Sequence, residues 1–328
     1  MERVRQPAAG FTLVEISVVL VIFSMLMLAS LKALIATSEA NHKIDLTNRV
    51  QVKCQAALNG IVAEAAASVR LYGDDAEGQA LLGMLEGVSA DILADSKLPT
   101  LLASGIIEKD TGAVPDTGNC LLFLKAADPY VLKSSTTTDD VLRVDLYQFV
   151  AVYLKNKGLG SPLERPDGLN LILFRSEPLV DRGQVEAVGD PAERRRLLVA
   201  LQEERGVRLV IDTRAAIGSA LGVVDAFGEI ELDPPLPYEL REAPIAGRRA
   251  LLSLENLSIA TNASPRQYGV ARFAPRQMTG YGFPHGFEVR IIGSPSARQI
   301  LAHLTLALRS GQEVYYSDLD AVAVSRDF

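Results

Sequence analysis

The stretch Gly10-Phe11-Thr12-Leu13-Val14-Glu15 opens the apolar run FTLVEISVVLVIFSMLMLASLKALIA, residues 11–36, and the fold is decided by how that run is read. Its only ionisable side chains are Glu15 and Lys32. As a helix rising 1.5 Å per residue, the 26 residues cover about 39 Å, more than the roughly 30 Å hydrocarbon core of a bilayer. Arg3 and Arg5 precede the run, so the positive-inside asymmetry predicts a cytoplasmic start and an exported remainder. A secretory signal places its small-residue cleavage site after the apolar core. Here the small residue, Gly10, comes before it, and the dispensable part is the polar leader, residues 1–10.

These residues resemble the cleavage and methylation signature of type IV prepilins and pseudopilins: a glycine, then a phenylalanine, then a glutamate four residues further on, all opening a membrane helix. The resemblance implies cutting between Gly10 and Phe11 by a prepilin peptidase and N-methylation of the new Phe11 amine. It implies a single-pass protein of the bacterial inner membrane, with a cytoplasmic N-terminus and a periplasmic head, later incorporated into a filament. The implied partners are other pilins or pseudopilins, an inner-membrane assembly platform and the lipid bilayer. Glu15 also has a physical reading. A carboxylate inside an apolar helix is costly and normally has a partner or a role. Cleavage at Gly10 creates that partner, the Phe11 ammonium of the same or a neighbouring chain, and the resemblance implies that this pairing docks the incoming subunit.

Beyond residue 36 the pattern turns amphipathic. Leu46, Val50, Cys54, Ala57, Ile61, Ala65, Val69 and Tyr72 recur every three or four residues, opposite Glu39, Lys43, Asp45, Arg49, Lys53 and Glu64. The spacing predicts one helix to about residue 71, stopped at Gly73, with a membrane half over 11–36 and an amphipathic half over 37–73. Residues 74–328 form the expected head, helical over 74–108 and mainly antiparallel β over 120–328. Residues 141–155 alternate, with Leu142, Val144, Leu146, Val150, Val152 and Leu154 on one side and Arg143, Asp145, Tyr147, Tyr153 and Lys155 on the other. Further strands are expected at 169–175, 207–212, 223–232, 251–260, 287–292, 300–309 and 321–328, and a charged helix at 191–205. Pro234, Pro235 and Pro237 mark an extended connection. The expected fold class is thus α+β and pilin-like, a long N-terminal helix packed on an antiparallel sheet. The strand ending Val152-Tyr153-Leu154, then Leu173-Phe174-Arg175, and a C-terminal strand pair closing on Arg326, are similar to the J-type minor pseudopilin and the W-type minor pilin. The K-type matches in size but typically lacks a glutamate at the position of Glu15.

Other classes find little support. A net charge of −7, from 33 basic and 40 acidic residues, is the wrong sign for a protein that gains affinity by neutralising phosphates, so no nucleic-acid partner is expected. Two cysteines and three histidines cannot furnish an all-cysteine metal site, and no cofactor or metal is expected. Asp110-Thr111-Gly112 and Asp116-Thr117-Gly118 look like aspartic-protease triplets, but six residues apart in one loop they read as turns. Asp318 and Asp320, and the group Asp74, Asp75 and Glu77, lack EF-hand spacing and read as solvated acidic turns. His42 and His303 read as surface positions and His285 as isolated. Arg194, Arg195 and Arg196 beside Glu193, Glu203 and Glu204 read as a salt-laced helix face. Cys54 and Cys120 are candidates for a disulfide in an oxidising compartment, the alternative being two separate thiols.

The expected function is that of a minor pilin or pseudopilin, a non-enzymatic structural subunit of a type IV pilus or a type II secretion pseudopilus. The alternative is a membrane-anchored extracytoplasmic binding protein or adhesin. Loss of residues 1–10 removes two arginines and one glutamate, taking the charge from −7 to −8. A head of 255 residues has a radius of gyration of about 18 Å, bulky for a densely repeated shaft, which favours a priming or tip position. Glu15→Ala is expected to leave membrane insertion intact and abolish incorporation into filaments, read by fractionating membranes and sheared filaments.

Overall fold

The computed structural model describes residues 12–89, 91–94, 96–103, 117–133, 141–156, 169–207, 209–211, 223–226, 247–249, 267–270, 286–310 and 313–325. The leader with Gly10 and Phe11, the Asp110 triplet, Asp116, the prolines at 234–237, the expected strand at 251–260, His285 and Arg326 lie outside the described residues. The chain divides into two compact units, Met1–Arg49 and Val50–Phe328, with the boundary inside the first helix, α1 (Leu13–Ala66).

In the first unit the large apolar side chains from Leu13 to Ile35 are exposed. This is the one described helix long and apolar enough to cross a membrane. Its polar atoms suit that solvent: the Ser17 hydroxyl donates to the Leu13 carbonyl at 2.9 Å and the Ser24 hydroxyl to the Leu20 carbonyl at 2.7 Å, leaving neither without a partner in lipid.

In the second unit the remainder of α1 is followed by β1 (Ser68–Tyr72), α2 (Ala76–Met84), α3 (Glu86–Ser89), β2 (Leu101–Leu102), β3 (Leu121–Lys133), β4 (Val141–Asn156), β5 (Leu169–Ser176), β6 (Leu179–Asp181), α4 (Arg182–Glu186) and α5 (Pro191–Arg205). Then come β7 (Leu209–Ile211), β8 (Val223–Ala226), β9 (Gly247–Arg249), β10 (Gln267–Val270), β11 (Phe287–Ile292), β12 (Arg298–Ser310) and β13 (Glu313–Ser325). The described strands form one sheet, ordered β2-β11-β12-β10-β5-β4-β6-β7-β8, with β3 on β4, β1 on β3, β9 on β5 and β13 on β12. Pairing is antiparallel except at β2/β11 and β6/β7. The architecture is α+β and pilin-like, an N-terminal apolar helix followed by an antiparallel sheet.

Three expectations need correction. The helix stops at Ala66, not near residue 71. The Ser68 hydroxyl donates to the Ala65 carbonyl at 2.6 Å, and residues 68–72 pair with β3, so Val69 and Tyr72 belong to a strand. Among the described residues of 74–108, helix holds only for α2 and α3. Beyond them the described chain turns at Asp91 and Ser96, whose amides donate to the Val88 and Leu93 carbonyls, Ile92 bridges to Lys155, and Leu101–Leu102 joins β11. Pro99 contributes, since the residue before a proline is pushed out of the helical region. Tyr153, expected on a polar face, is fully buried among Tyr72, Leu81, Leu85, Phe149, Ile172 and Phe174. The alternation was real, but both faces of β4 are covered there.

That core lies under α2 and α3. A second one gathers Tyr130, Val144, Leu146 and Val180 beneath α4 and α5. Helix α5 has complete signals: Asp190 accepts from the Ala192 amide at 2.9 Å, Pro191 begins the first turn, and Gly206 closes it in the left-handed region at φ 67°. Gly118 is needed for a different reason, since a Cβ there would lie 2.4 Å from the Pro99 nitrogen and 2.5 Å from the Lys97 carbonyl oxygen.

On the opposite side of the sheet from the α2/α3 core, residues 50–66 of α1 make directional contacts. The Cys54 thiol donates to the Leu304 carbonyl at 3.4 Å. Glu64 accepts from Lys125 Nζ at 2.7 Å and from Arg175. Burial pushes the Glu64 carboxyl up, but the hydrogen bonds and charges of Lys125 and Arg175 together outweigh it and hold it below the ordinary range. A depressed folded value adds stability above the unfolded value, near pH 4, that is lost as pH falls through the folded one. Glu64→Gln is therefore expected to lower stability at pH 7 by about 1–3 kcal/mol, with the gap to wild type closing towards pH 3. Urea unfolding of the detergent-solubilised chain at both pH values checks it.

Candidate assembly and processing site

The described part of the N-terminal motif begins at Thr12, where α1 starts. Thr12 is followed three residues later by Glu15, the spacing of a capping box. The Glu15 carboxylate accepts from the Thr12 amide at 2.9 Å and the Thr12 hydroxyl at 3.0 Å, while that hydroxyl accepts from the Glu15 amide at 3.3 Å. The first helical bond runs from the Ile16 amide to the Thr12 carbonyl at 3.1 Å. Two amides that a helix start leaves orphaned are thus closed by the motif itself, and the carboxylate is anchored one turn from residue 11. The motif reading singled out Gly10, Phe11 and Glu15. It missed Thr12, although the Thr-x-x-Glu spacing was legible.

The remaining candidates scatter over the head. Asp75 caps α2 through the Gly78 amide at 2.8 Å, Glu77 pairs with Arg70 at 2.7 Å, and Asp74 lies 3.3 Å from Lys97, so these acids hold the α2 corner together. His42 is exposed on α1. Arg196 reaches Glu193 at 3.3 Å, and Arg194 donates to the Val188 carbonyl.

His303 is not a surface residue and Asp318 and Asp320 are not in turns. All three sit on the β12/β13 ladder, where His303 is directly opposite Asp320 and Thr305 opposite Asp318. His303 is buried, with Nε2 2.7 Å from Asp318 and Nδ1 2.8 Å from Asp320. The Thr305 hydroxyl, 3.5 Å from His303 Nε2, has the composition of a hydroxyl–imidazole–carboxylate triad. It is fully buried and donates to Asp318 at 2.8 Å, so no nucleophile is presented. Among the described residues no group of three or more His, Cys, Asp or Glu side chains is placed to hold a metal ion.

Cys54 and Cys120 are both free and buried, which corrects the disulfide candidate. Cys54 faces β12 and β13 from α1, whereas Cys120 belongs to the core under α2 and α3.

Residues 5–31 match the family described as the prokaryotic N-terminal methylation motif. That match supports a type IV prepilin-like chain. It implies processing by a prepilin peptidase, assembly with other pilins and a single-pass membrane anchor, and it points to a structural subunit rather than an enzyme. No curated protein and no solved structure matches the chain.

Burial raises the thiol of Cys54 to about 11 and that of Cys120 to about 12, leaving almost no nucleophilic thiolate at neutral pH. Maleimide is expected to leave both unlabelled in the folded, unreduced protein and to label both after unfolding without reductant. A single label or none after unfolding contradicts the free-thiol assignment.

Proposed function

We propose that the chain is a minor pilin or pseudopilin, built into a type IV pilus or a type II secretion pseudopilus through its N-terminal helix. The observation that carries this reading is the methylation motif at residues 5–31 leading into a helix whose apolar, membrane-length part is unburied. A prepilin peptidase cuts between Gly10 and Phe11, and the Phe11 amine is then methylated. Glu15, anchored by Thr12, offers its carboxylate to the Phe11 ammonium of its own or a neighbouring chain as the subunit is drawn from the inner membrane by the assembly platform. The head emerges on the periplasmic side.

The bulk of the head supports a rare subunit acting in priming or at the tip. The match to the methylation motif favours filament membership over a membrane-anchored binding protein or adhesin. One preparation tests both levels. In filaments sheared from cells that make the peptidase, mass spectrometry of the N-terminal peptide is expected to show Phe11 first, bearing one methyl group. Quantification of the same sample is expected to find this chain far below the principal subunit. An uncleaved N-terminus overturns the filament reading, and equal copy numbers overturn the minor role.

A further inference from the structure

Two charges interrupt the apolar surface of the first unit, and only one is satisfied within it. Glu15 is engaged by Thr12. Lys32 is exposed and, among the described residues, makes no hydrogen bond or ion pair. Its neighbours one turn away are Leu28, Ala29, Ile35 and Ala36, none of them anionic. Nor does the apolar surface end at Lys32. Ala33-Leu34-Ile35-Ala36 continues it for another turn before Thr37, Ser38 and Glu39, with Leu34 and Ile35 exposed.

The spacing relates the two charges to a bilayer. Glu15 and Lys32 are 17 residues apart, about 26 Å along a helix, against a hydrocarbon core of roughly 30 Å. With the Glu15 backbone at one boundary of an upright helix, the Lys32 backbone therefore falls short of the other. A lysine bridges such a gap by laying its carbon stem along apolar surface until the ammonium reaches the headgroups. In a helix, however, Cα–Cβ bonds tilt towards the N-terminus, here away from the head-side surface. The stem of Lys32 has to turn back against that tilt, so pairing with a headgroup draws the whole helix towards the head side. The apolar turn 33–36 pulls the other way, since it gains by sinking into hydrocarbon.

We infer that Lys32 binds lipid headgroup phosphates in the leaflet on the head side and holds the helix outward against the pull of residues 33–36. The ammonium supplies the charge complement of the phosphate, reached by the carbon stem running along apolar surface. This rests on reading α1 as membrane-spanning. It adds that the waiting subunit is displaced in the direction in which it leaves the bilayer.

The test uses the full chain reconstituted in vesicles of phosphatidylcholine and phosphatidylglycerol, with a membrane-impermeant maleimide and single reporters at Ser38→Cys and Val21→Cys. Cys54 and Cys120 are buried and stay silent. Labelling at position 38 is expected to slow about fivefold when Lys32→Leu is added, and to recover with Lys32→Arg, which keeps the charge. Equal rates in wild type and Lys32→Leu overturn the role of Lys32 while position 21 remains protected. Rapid labelling at position 21 overturns the membrane span itself, and the inference with it.

Discussion

Glu64 accepts from Lys125 on β3 and from Arg175 on β5, the two strands that flank β4. Burial of Leu58, Ile61 and Ala65 on the same helix favours contact with the sheet but is non-directional. Sliding a helix by one turn exchanges one apolar neighbour for another at similar burial. It cannot carry a carboxylate away from two cations without leaving all three charges uncompensated, and that penalty makes the register unique. The Cys54 thiol, on the Leu304 carbonyl of β12 and near the Ser317 carbonyl of β13, repeats the logic for α1, and the Ser68 hydroxyl of β1 lies 2.5 Å from Ser325. Polar contacts from Glu64 and Cys54 thus tie α1 to β3, β5, β12 and β13, and β1 adds a second tie to β13.

The first unit obeys a different solvent. Where α1 is apolar on all sides, lipid offers no hydrogen-bond partner, and polar atoms have to be closed locally. Ser17 and Ser24 close on carbonyls one turn back, and Thr12 and Glu15 close on each other. Lys32 has no such local solution, and its position one turn inside the apolar limit therefore calls for something outside the chain. A soluble protein gains nothing from an exposed run of this length, whereas lipid rewards it along its whole surface.

The sequence showed most clearly those features whose physics is local. Length and charge content gave the membrane-scale run, alternation gave β4, and the charged stretch 191–205 gave α5 to the residue. Features set by distant partners were hidden. Val69 and Tyr72 continue the helical spacing of α1, and nothing local says that β3, some fifty residues later, will claim them as a strand. Glu64 falls on the polar face of a helical wheel, and only the fold brings Lys125 and Arg175 to it. Tyr153 sits among polar neighbours in its alternation, yet α2 and α3 cover that face of β4 as well. At the N-terminal motif, Gly10, Phe11 and Glu15 were legible as a signature, while Thr12 was overlooked although its hydroxyl and the Thr-x-x-Glu spacing carry the cap.

The β12/β13 cluster has the composition of a catalytic group but not its geometry. A catalytic histidine needs one nitrogen oriented by a partner and the other left to meet a reacting group. In His303 each ring nitrogen already faces a carboxylate oxygen, and the nearby Thr305 hydroxyl is itself committed to Asp318. A ring held at both ends across two strands is oriented twice and available to nothing. Its effect is on the ladder: with Thr305 it ties the 303/320 and 305/318 rungs, on one face of the β12/β13 pair, through side chains as well as backbone, and β13 also meets Cys54 and Ser68. This cluster is thus committed within the sheet, whereas the capped start of α1 and Lys32 lie on exposed helix surface.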